Sequence, residues 1–340
     1  HLAEAFSKPN LRLAWKWLAT NPEPQFKNYV RHIYRAYSLC FEANLEDLHK
    51  RLANHSYTPQ HATKLFFPKK SGILRPYSLL CIEDQIVYQA MINVIAESFS
   101  PHIRRRYLKQ VFGHLYAGKR SKFFYKPWKT AYTKFSDVMR KAHADGFIYT
   151  ASFDLTACYD SIDHRVLKHF LRDLKLEHEF CNRLCELLSI WTTASKATPI
   201  YQGHGIPQGP PPSGLLSECV LRYFDDHAPA SRTIRYFRYV DDIRLFSKNE
   251  KEIRRRLVLL DRISKEIGLF PQSSKIDIHR VRDIESEIKT ISHPPEIVVE
   301  PPDPIRERYG GDCRNYLHAS KSLMRQDLNM SWAERYPTRS

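Results

Sequence analysis

Between residues 233 and 247 the side chains alternate, through Ile234, Tyr236, Arg238 and Val240 and then Ile243, Leu245 and Phe246, with Asp241-Asp242 between the two runs. A period of two on either side of a short acidic interruption predicts two strands joined by a tight turn. Such a segment commits the chain to an antiparallel hairpin with two carboxylates at its tip. A second apolar run, Phe147 to Leu155, reads as a buried strand that delivers Asp154 at its end. Carboxylates at the ends of buried strands need a partner, because uncompensated burial of charge is costly. Mg²⁺ is one such partner, a hard ion held by one or two carboxylates together with substrate phosphates. Two ions roughly 3.5–4 Å apart could stabilise the attacking and leaving oxygens of an in-line phosphoryl displacement. An isolated Asp-Asp pair is more simply a polar turn, so the surrounding residues have to decide.

Elsewhere the chain is rich in helical periodicity. Residues 1–62 read as a helical N-terminal segment, with Tyr29, Ile33, Ala36 and Tyr37 and then Leu45, Leu48, His49 and Leu52 at helical spacing. Residues 63–146 begin with Leu65-Phe66-Phe67, a basic turn at Pro68-Lys69-Lys70-Ser71-Gly72 and a second extended run from Ile73. A long apolar helix from Ile82 to Phe99, with Asp84 in its first turn, follows. Residues 147–292 hold the acidic strands, helices starting near Asp163 or His164 and around Leu184 to Trp191, a charged helix over 250–267 and a short strand over 274–280. Residues 293–340 open with a Pro-rich linker and contain a possible helix around Tyr316 to Leu328. No repeat or low-complexity tract is evident.

Charge narrows the partner. Lys and Arg number 53 against 37 Asp and Glu, a net charge of +16, which suggests a polyanion such as nucleic acid. The most basic stretch is 101–141, where Arg104, Arg105, Arg106, Lys119, Arg120 and Lys122 alternate with aromatic residues. Cations that hold phosphates beside rings that stack on bases would make an RNA-binding surface, although most of these rings are expected in the core. The seven cysteines are scattered without a CxxC pair and read as free thiols of a reducing, cytoplasmic compartment. No apolar run is long enough for a membrane span. The chain starts on His1 with no signal peptide, and processing or further residues at either end are left open.

The acidic segments sit in a recognisable order. Tyr239-Val240-Asp241-Asp242 resembles the Y-x-D-D signature of reverse transcriptases, and Phe153-Asp154-Leu155 with Tyr159-Asp160-Ser161-Ile162 resembles their first catalytic motif. Gly205-Ile206-Pro207-Gln208-Gly209, with Ser213 and Leu215-Leu216-Ser217-Glu218, resembles their G-x-P-Q-G segment. Gly268-Leu269-Phe270 with Ser274-Lys275, and Lys69-Lys70-Ser71-Gly72 with Arg75-Pro76, resemble the lysine-bearing motif and the basic fingers hairpin. The resemblance covers residues 65–280 and implies an α+β right-hand polymerase fold. Its fingers (63–146) and its palm (147–292), a small antiparallel sheet backed by helices, would be followed by the start of a thumb or C-terminal extension (293–340). It implies that Asp154, Asp241 and Asp242 are catalytic ligands of two Mg²⁺ ions, for which Mn²⁺ could substitute. Lys275 would protonate the leaving pyrophosphate. Lys69 or Lys70 with Arg75 would hold the dNTP triphosphate, Gln208 would support the nucleotide or template, and Tyr159 would be the steric gate against a ribose 2′-hydroxyl. Asp160 and Asp163 read instead as helix-start residues.

The Pro210-Pro211-Pro212-Ser213-Gly214 run and the Leu216-Ser217-Glu218 ending depart from the Ser-Pro and Leu-x-Asn of intron and retron enzymes. They are more like the bacterial abortive-infection and unknown-group defence-associated reverse transcriptases. The implied partners are an RNA template, which could be a dedicated non-coding RNA, a DNA or protein primer and dNTPs, with a homo-oligomer left open. Three other readings remain at this level. One is template-independent or protein-primed synthesis, with Tyr309 or Tyr316 as available hydroxyls. The others are a catalytically silent RNA-binding scaffold and a two-metal nuclease.

Overall fold

A computed structural model describes residues 1–20, 33–68, 74–193 and 203–290. Residues 1–285 form one compact unit and residues 286–340 a second, described only to residue 290. Lys69, Lys70, Tyr309, Tyr316, the Pro-rich stretch and the helix expected around 316–328 lie outside the described residues.

Among the described residues of the N-terminal segment the helices are α1 (Leu2–Ala5), α2 (Lys8–Thr20), α3 (described over 33–39) and α4 (Phe41–Ala53), whereas Tyr29 lies outside the described residues. α1, α2 and α10 (Pro212–His227) pack against α5 (Ile82–Ile103), the central helix, which is buried on every side from Asp84 to Ala96. A helix in that position must satisfy its polar side chains internally. Gln85, Gln89 and Asn93, one turn apart, do so through their amide nitrogens: Gln85 Nε2 donates to Leu80 O, Gln89 Nε2 to Asn93 Oδ1, and Asn93 Nδ2 to Asn10 Oδ1 of α2, while Gln89 Oε1 is buried without a hydrogen-bond partner among the described residues. Asp84, read from sequence as a first-turn acid, is buried and accepts from the Tyr57 hydroxyl and from Gln60 N.

Two antiparallel sheets follow. β1 (Thr63–Pro68) and β2 (Leu74–Leu79) make the expected hairpin, with Phe67 opposite Arg75. The larger sheet has the order β4-β5-β3-β6, from β3 (Tyr149–Phe153), β4 (Ile234–Tyr239), β5 (Asp242–Ser247) and β6 (Ile278–Arg280). All its pairs are antiparallel. The strand expected over 274–280 is therefore only Ile278–Arg280, because residues 273–275 turn as a 3₁₀ segment. Helices α6 (Trp128–Ala144), α7 (Cys158–Ser161), α8 (His164–Asp173), α9 (His178–Thr192), α10 (Pro212–His227) and α11 (Glu250–Glu266) complete the compact unit, and α12 is Ile284–Thr290. Asp163 caps α8 by accepting from Arg165 N at 2.6 Å, as expected of a helix-start residue. This is the α+β architecture with a small antiparallel sheet backed by helices. α10 and α11 carry its core, through Leu215, Leu216, Val220, Phe224, Leu257 and Leu260.

Candidate active site

β4 and β5 are joined by a two-residue turn, Val240-Asp241, with Tyr239 paired to Asp242. Val240 is left-handed at φ 56°. A β-branched residue pays roughly 1–2 kcal/mol for that conformation, and such strain collects at functional sites. Contacts around the turn hold it there. The fully buried Arg238 donates from one guanidinium nitrogen to Val240 O at 2.8 Å. Its other nitrogens donate to Asp225 (2.9 and 2.6 Å) and to Glu218 (2.8 Å), both on α10. Glu218, the departure from the Leu-x-Asn ending, is thus half of a buried ion pair, and burial pushes its carboxyl up to about 7 against the pull of Arg238. On the far side of the turn, the Tyr239 ring packs on Tyr132 and Phe135 of α6.

β3 brings in the third carboxylate. Phe153 pairs with Ile243, so Asp154 follows one step beyond, at the level of Asp242. The 268–275 segment runs alongside: Thr156 N donates to Phe270 O and Gln272 N to Asp154 O, both at 2.8 Å. Lys275 is thereby set beside Asp154, and its Nζ donates to Asp154 Oδ2 at 2.8 Å. Arg244 similarly pairs with Asp242, Nε to Oδ1 at 3.0 Å. Burial and then the charge of Asp154 raise Asp241 to about 6; burial also raises Asp242, opposed by Arg244. Among the described residues no three His, Cys, Asp or Glu side chains converge closely enough to cage an ion by themselves. Coupled, desolvated carboxylates that supply only part of an oxygen shell do suit Mg²⁺, which keeps positions for water and substrate phosphates.

The residues expected at the nucleotide lie on neighbouring elements. Arg75 is exposed on β2, and its charge opposes the rise at Asp241. β2 also meets the Gly205–Gly209 loop: Ser78 N donates to Gln208 O at 2.8 Å. Gly209 has φ 110°, and a Cβ there would fall 2.1 Å from Cζ of Tyr77, so only glycine lets that ring lie flat on the loop. Gln208 Nε2 donates to Asp160 Oδ2 at 2.9 Å. Asp160 lies in the first turn of the short helix α7, whose N-cap position is Ala157, and its carboxylate partners Gln208. Tyr159, on the same turn, is half-buried, with its hydroxyl between His114 Nε2 (3.2 Å) and Ser217 Oγ (3.4 Å). Ser213 of the same segment faces inward and bonds Tyr88.

The basic tract divides in two. Arg104 and Arg105 are exposed on a 3₁₀ turn, and Lys119, Arg120 and Lys122 are exposed on a loop. Arg106 instead pairs with Asp226 at 2.6 Å. Tyr107, Phe112, Tyr116 and Phe124 are buried. Residues 110–114, inside this tract, run beside the β4–β5 hairpin: Arg238 N donates to Gln110 O at 2.7 Å and Phe112 N to Arg238 O at 2.9 Å. A Cβ on Gly113 would fall 2.5 Å from both Val240 N and Cγ2. Sequence reading missed Gly113, His114 and Arg238 as site residues. The available signal was the unlike company of Gly113-His114 in a run of cations and rings.

A family model described as reverse transcriptase (RNA-dependent DNA polymerase) matches residues 67–299. Protein YkfC of Escherichia coli (strain K12) is 24% identical over 189 residues, 54% of this chain and 45% of YkfC. Among solved structures, apo telomerase from Candida Tropicalis, truncated from its C-terminal domain, aligns with TM-score 0.46 and 12% identity, over 66% of this chain and 51% of that one. Telomerase from Candida albicans in complex with the TWJ fragment of telomeric RNA aligns with TM-score 0.45 and 11% identity, over 67% and 44%. The chain spans about half the length of these proteins or less.

Proposed function

The chain belongs to the reverse transcriptase (RNA-dependent DNA polymerase) family, and from that premise we propose that it extends a primer 3′-hydroxyl with dNTPs on an RNA template. The observation that carries this reading is the register that brings Asp154 level with the Asp241-Asp242 turn, with burial and mutual repulsion raising Asp241 and burial raising Asp242. Asp154, Asp241 and Asp242 would hold Mg²⁺, or Mn²⁺ in its place, and the metal would neutralise charge at the phosphate and favour the ionised 3′-hydroxyl.

The other roles belong to the chain's own groups. Arg75, standing exposed where its charge reaches Asp241, attracts the triphosphate. Gln208, oriented by Asp160, and the glycine-opened loop against Tyr77 shape the nucleotide floor. Tyr159 limits space at the sugar. Lys275 neutralises Asp154, and a role as proton donor to pyrophosphate requires it first to leave that carboxylate. The biological role that the sequence departures after Gln208-Gly209 favour is bacterial antiphage defence.

Labelled-dNTP incorporation with Mg²⁺ tests the reading in three reactions: RNA template with DNA primer, protein alone, and Asp241→Asn/Asp242→Asn protein with template. Incorporation confined to the first is expected. Label that migrates with the protein in the second would transfer the assignment to protein-primed synthesis. Equal incorporation by the double variant would remove the carboxylates from the chemistry.

A further inference from the structure

Three separate elements meet at one phenol. Tyr159 comes from α7, Ser217 from α10 and His114 from the strip beside the β4–β5 hairpin. His114 is itself held firmly. Its backbone is left-handed at φ 43°, and its ring packs on Tyr125 with centroids 5.2 Å apart. The imidazole presses so closely on α10 that a Cβ on Gly214 would fall 2.5 Å from Nδ1. Glycine within a helix is less favourable than alanine, and here it makes the space for the imidazole. Tyr125 ties the same helix start to the same strip, donating to Pro211 O at 2.6 Å and accepting from Leu215 N at 2.7 Å. Burial pushes His114 down to about 4, so it is a neutral hydrogen-bond partner at physiological pH and adds no charge beside the carboxylates.

We propose that His114, in the space left by Gly214, is the positioning residue that fixes the Tyr159 ring and thereby sets discrimination between deoxyribo- and ribonucleotides. The inference rests on the polymerase reading above. A steric gate excludes a 2′-hydroxyl only as far as its ring refuses to move, and an aromatic side chain without an anchor can change rotamer to yield. Ser217 Oγ also donates to Gly214 O at 2.8 Å, so its hold on the phenol is shared and the imidazole is the dedicated anchor.

The test compares kcat/KM for a dNTP and the matching rNTP in primer extension by the full chain. Wild type is set beside His114→Leu, His114→Gln, Tyr159→Phe and the Leu/Phe double variant. His114→Leu is expected to lower the dNTP:rNTP ratio about threefold to tenfold, the range of one hydrogen bond's net effect, chiefly through KM for the rNTP. His114→Gln, which keeps a polar atom in reach of the hydroxyl, should restore most of the ratio. The double variant should fall no further than either single one, since both remove the same bond. An unchanged ratio in His114→Leu, with both sugars slowed alike, would reduce the residue to a structural role and overturn the inference, as would losses that multiply in the double variant. Should His114→Leu fail to fold, an unchanged ratio in Tyr159→Phe decides against it equally. A wild-type chain that extends primers yet accepts both sugars alike overturns this inference alone; one that incorporates nothing overturns the polymerase reading with it.

Discussion

Asp241 carries the most telling electrostatics of any single residue in the site. Its ordinary value near 3.8 is raised to about 6, first by burial and then by Asp154. A carboxyl whose folded value exceeds its unfolded one stabilises the fold fully only below the unfolded value. The contribution is lost as pH rises through the folded value. Without divalent metal, Asp241→Asn should therefore be more stable than wild type at pH 8, by about 1–3 kcal/mol, and melt correspondingly higher, and the gap should close toward pH 4. Adding Mg²⁺ at pH 8 should raise the wild-type melting temperature and leave the variant's nearly unchanged, which thermal melts at two pH values would check. A wild type indifferent to Mg²⁺ would contradict the metal assignment. The three aspartates were legible in the sequence because each ends a run of alternating or apolar residues, so local pattern alone set them at strand tips. The ion pairs Lys275–Asp154 and Arg244–Asp242 were not, because the first joins residues far apart in the chain and the second depends on side-chain direction at the turn.

The element that most changes how the site is understood is the strip 110–114. Sequence composition assigns it to a basic, aromatic tract facing RNA; the structure lays it against β4 through two backbone hydrogen bonds to Arg238. Gly113 then sits under the strained Val240, and any side chain there has to displace the turn that carries Asp241. Gly113→Ala is expected to cost about 1–3 kcal/mol of stability, the range for overpacking, and to lower primer extension at least about tenfold, since a shift of order 1 Å at reacting groups is enough for such losses. Denaturant unfolding beside single-turnover extension would check both. A variant fully active at reduced stability would show that the turn tolerates movement. Helices α5, α8, α9 and α11 were readable from periodicity, whereas α6, inside the basic tract, and α10, buried along most of its length, were not read as helices. The pairing of a loop strip with a strand edge was not readable either, because it obeys no period and depends on where the chain returns in space.

For the whole molecule, the net charge of +16 pointed to a polyanion, and the structure sorts which cations are available to one. Arg104, Arg105, Lys119, Arg120 and Lys122 are exposed, whereas Arg106 is engaged with Asp226. Arg104→Glu/Arg105→Glu should weaken RNA binding and flatten its dependence on salt, by about 0.7 in log–log slope for each phosphate the protein no longer neutralises. Arg106→Glu should instead act mainly on stability. Filter binding across a salt series would separate them, and an unchanged slope in the double variant would remove this surface from the RNA path. By itself the sequence determined the family, the strand-borne carboxylates and the order of elements, since these depend on local period and on residue types in fixed spacing. Tertiary structure alone decided that Glu218 belongs to a buried Arg238 pair, that Gly113 and Gly214 are spaces for Val240 and His114, and that the Tyr159 hydroxyl is anchored. Those facts join segments distant in sequence, and such neighbours exist only once packing has brought the segments together.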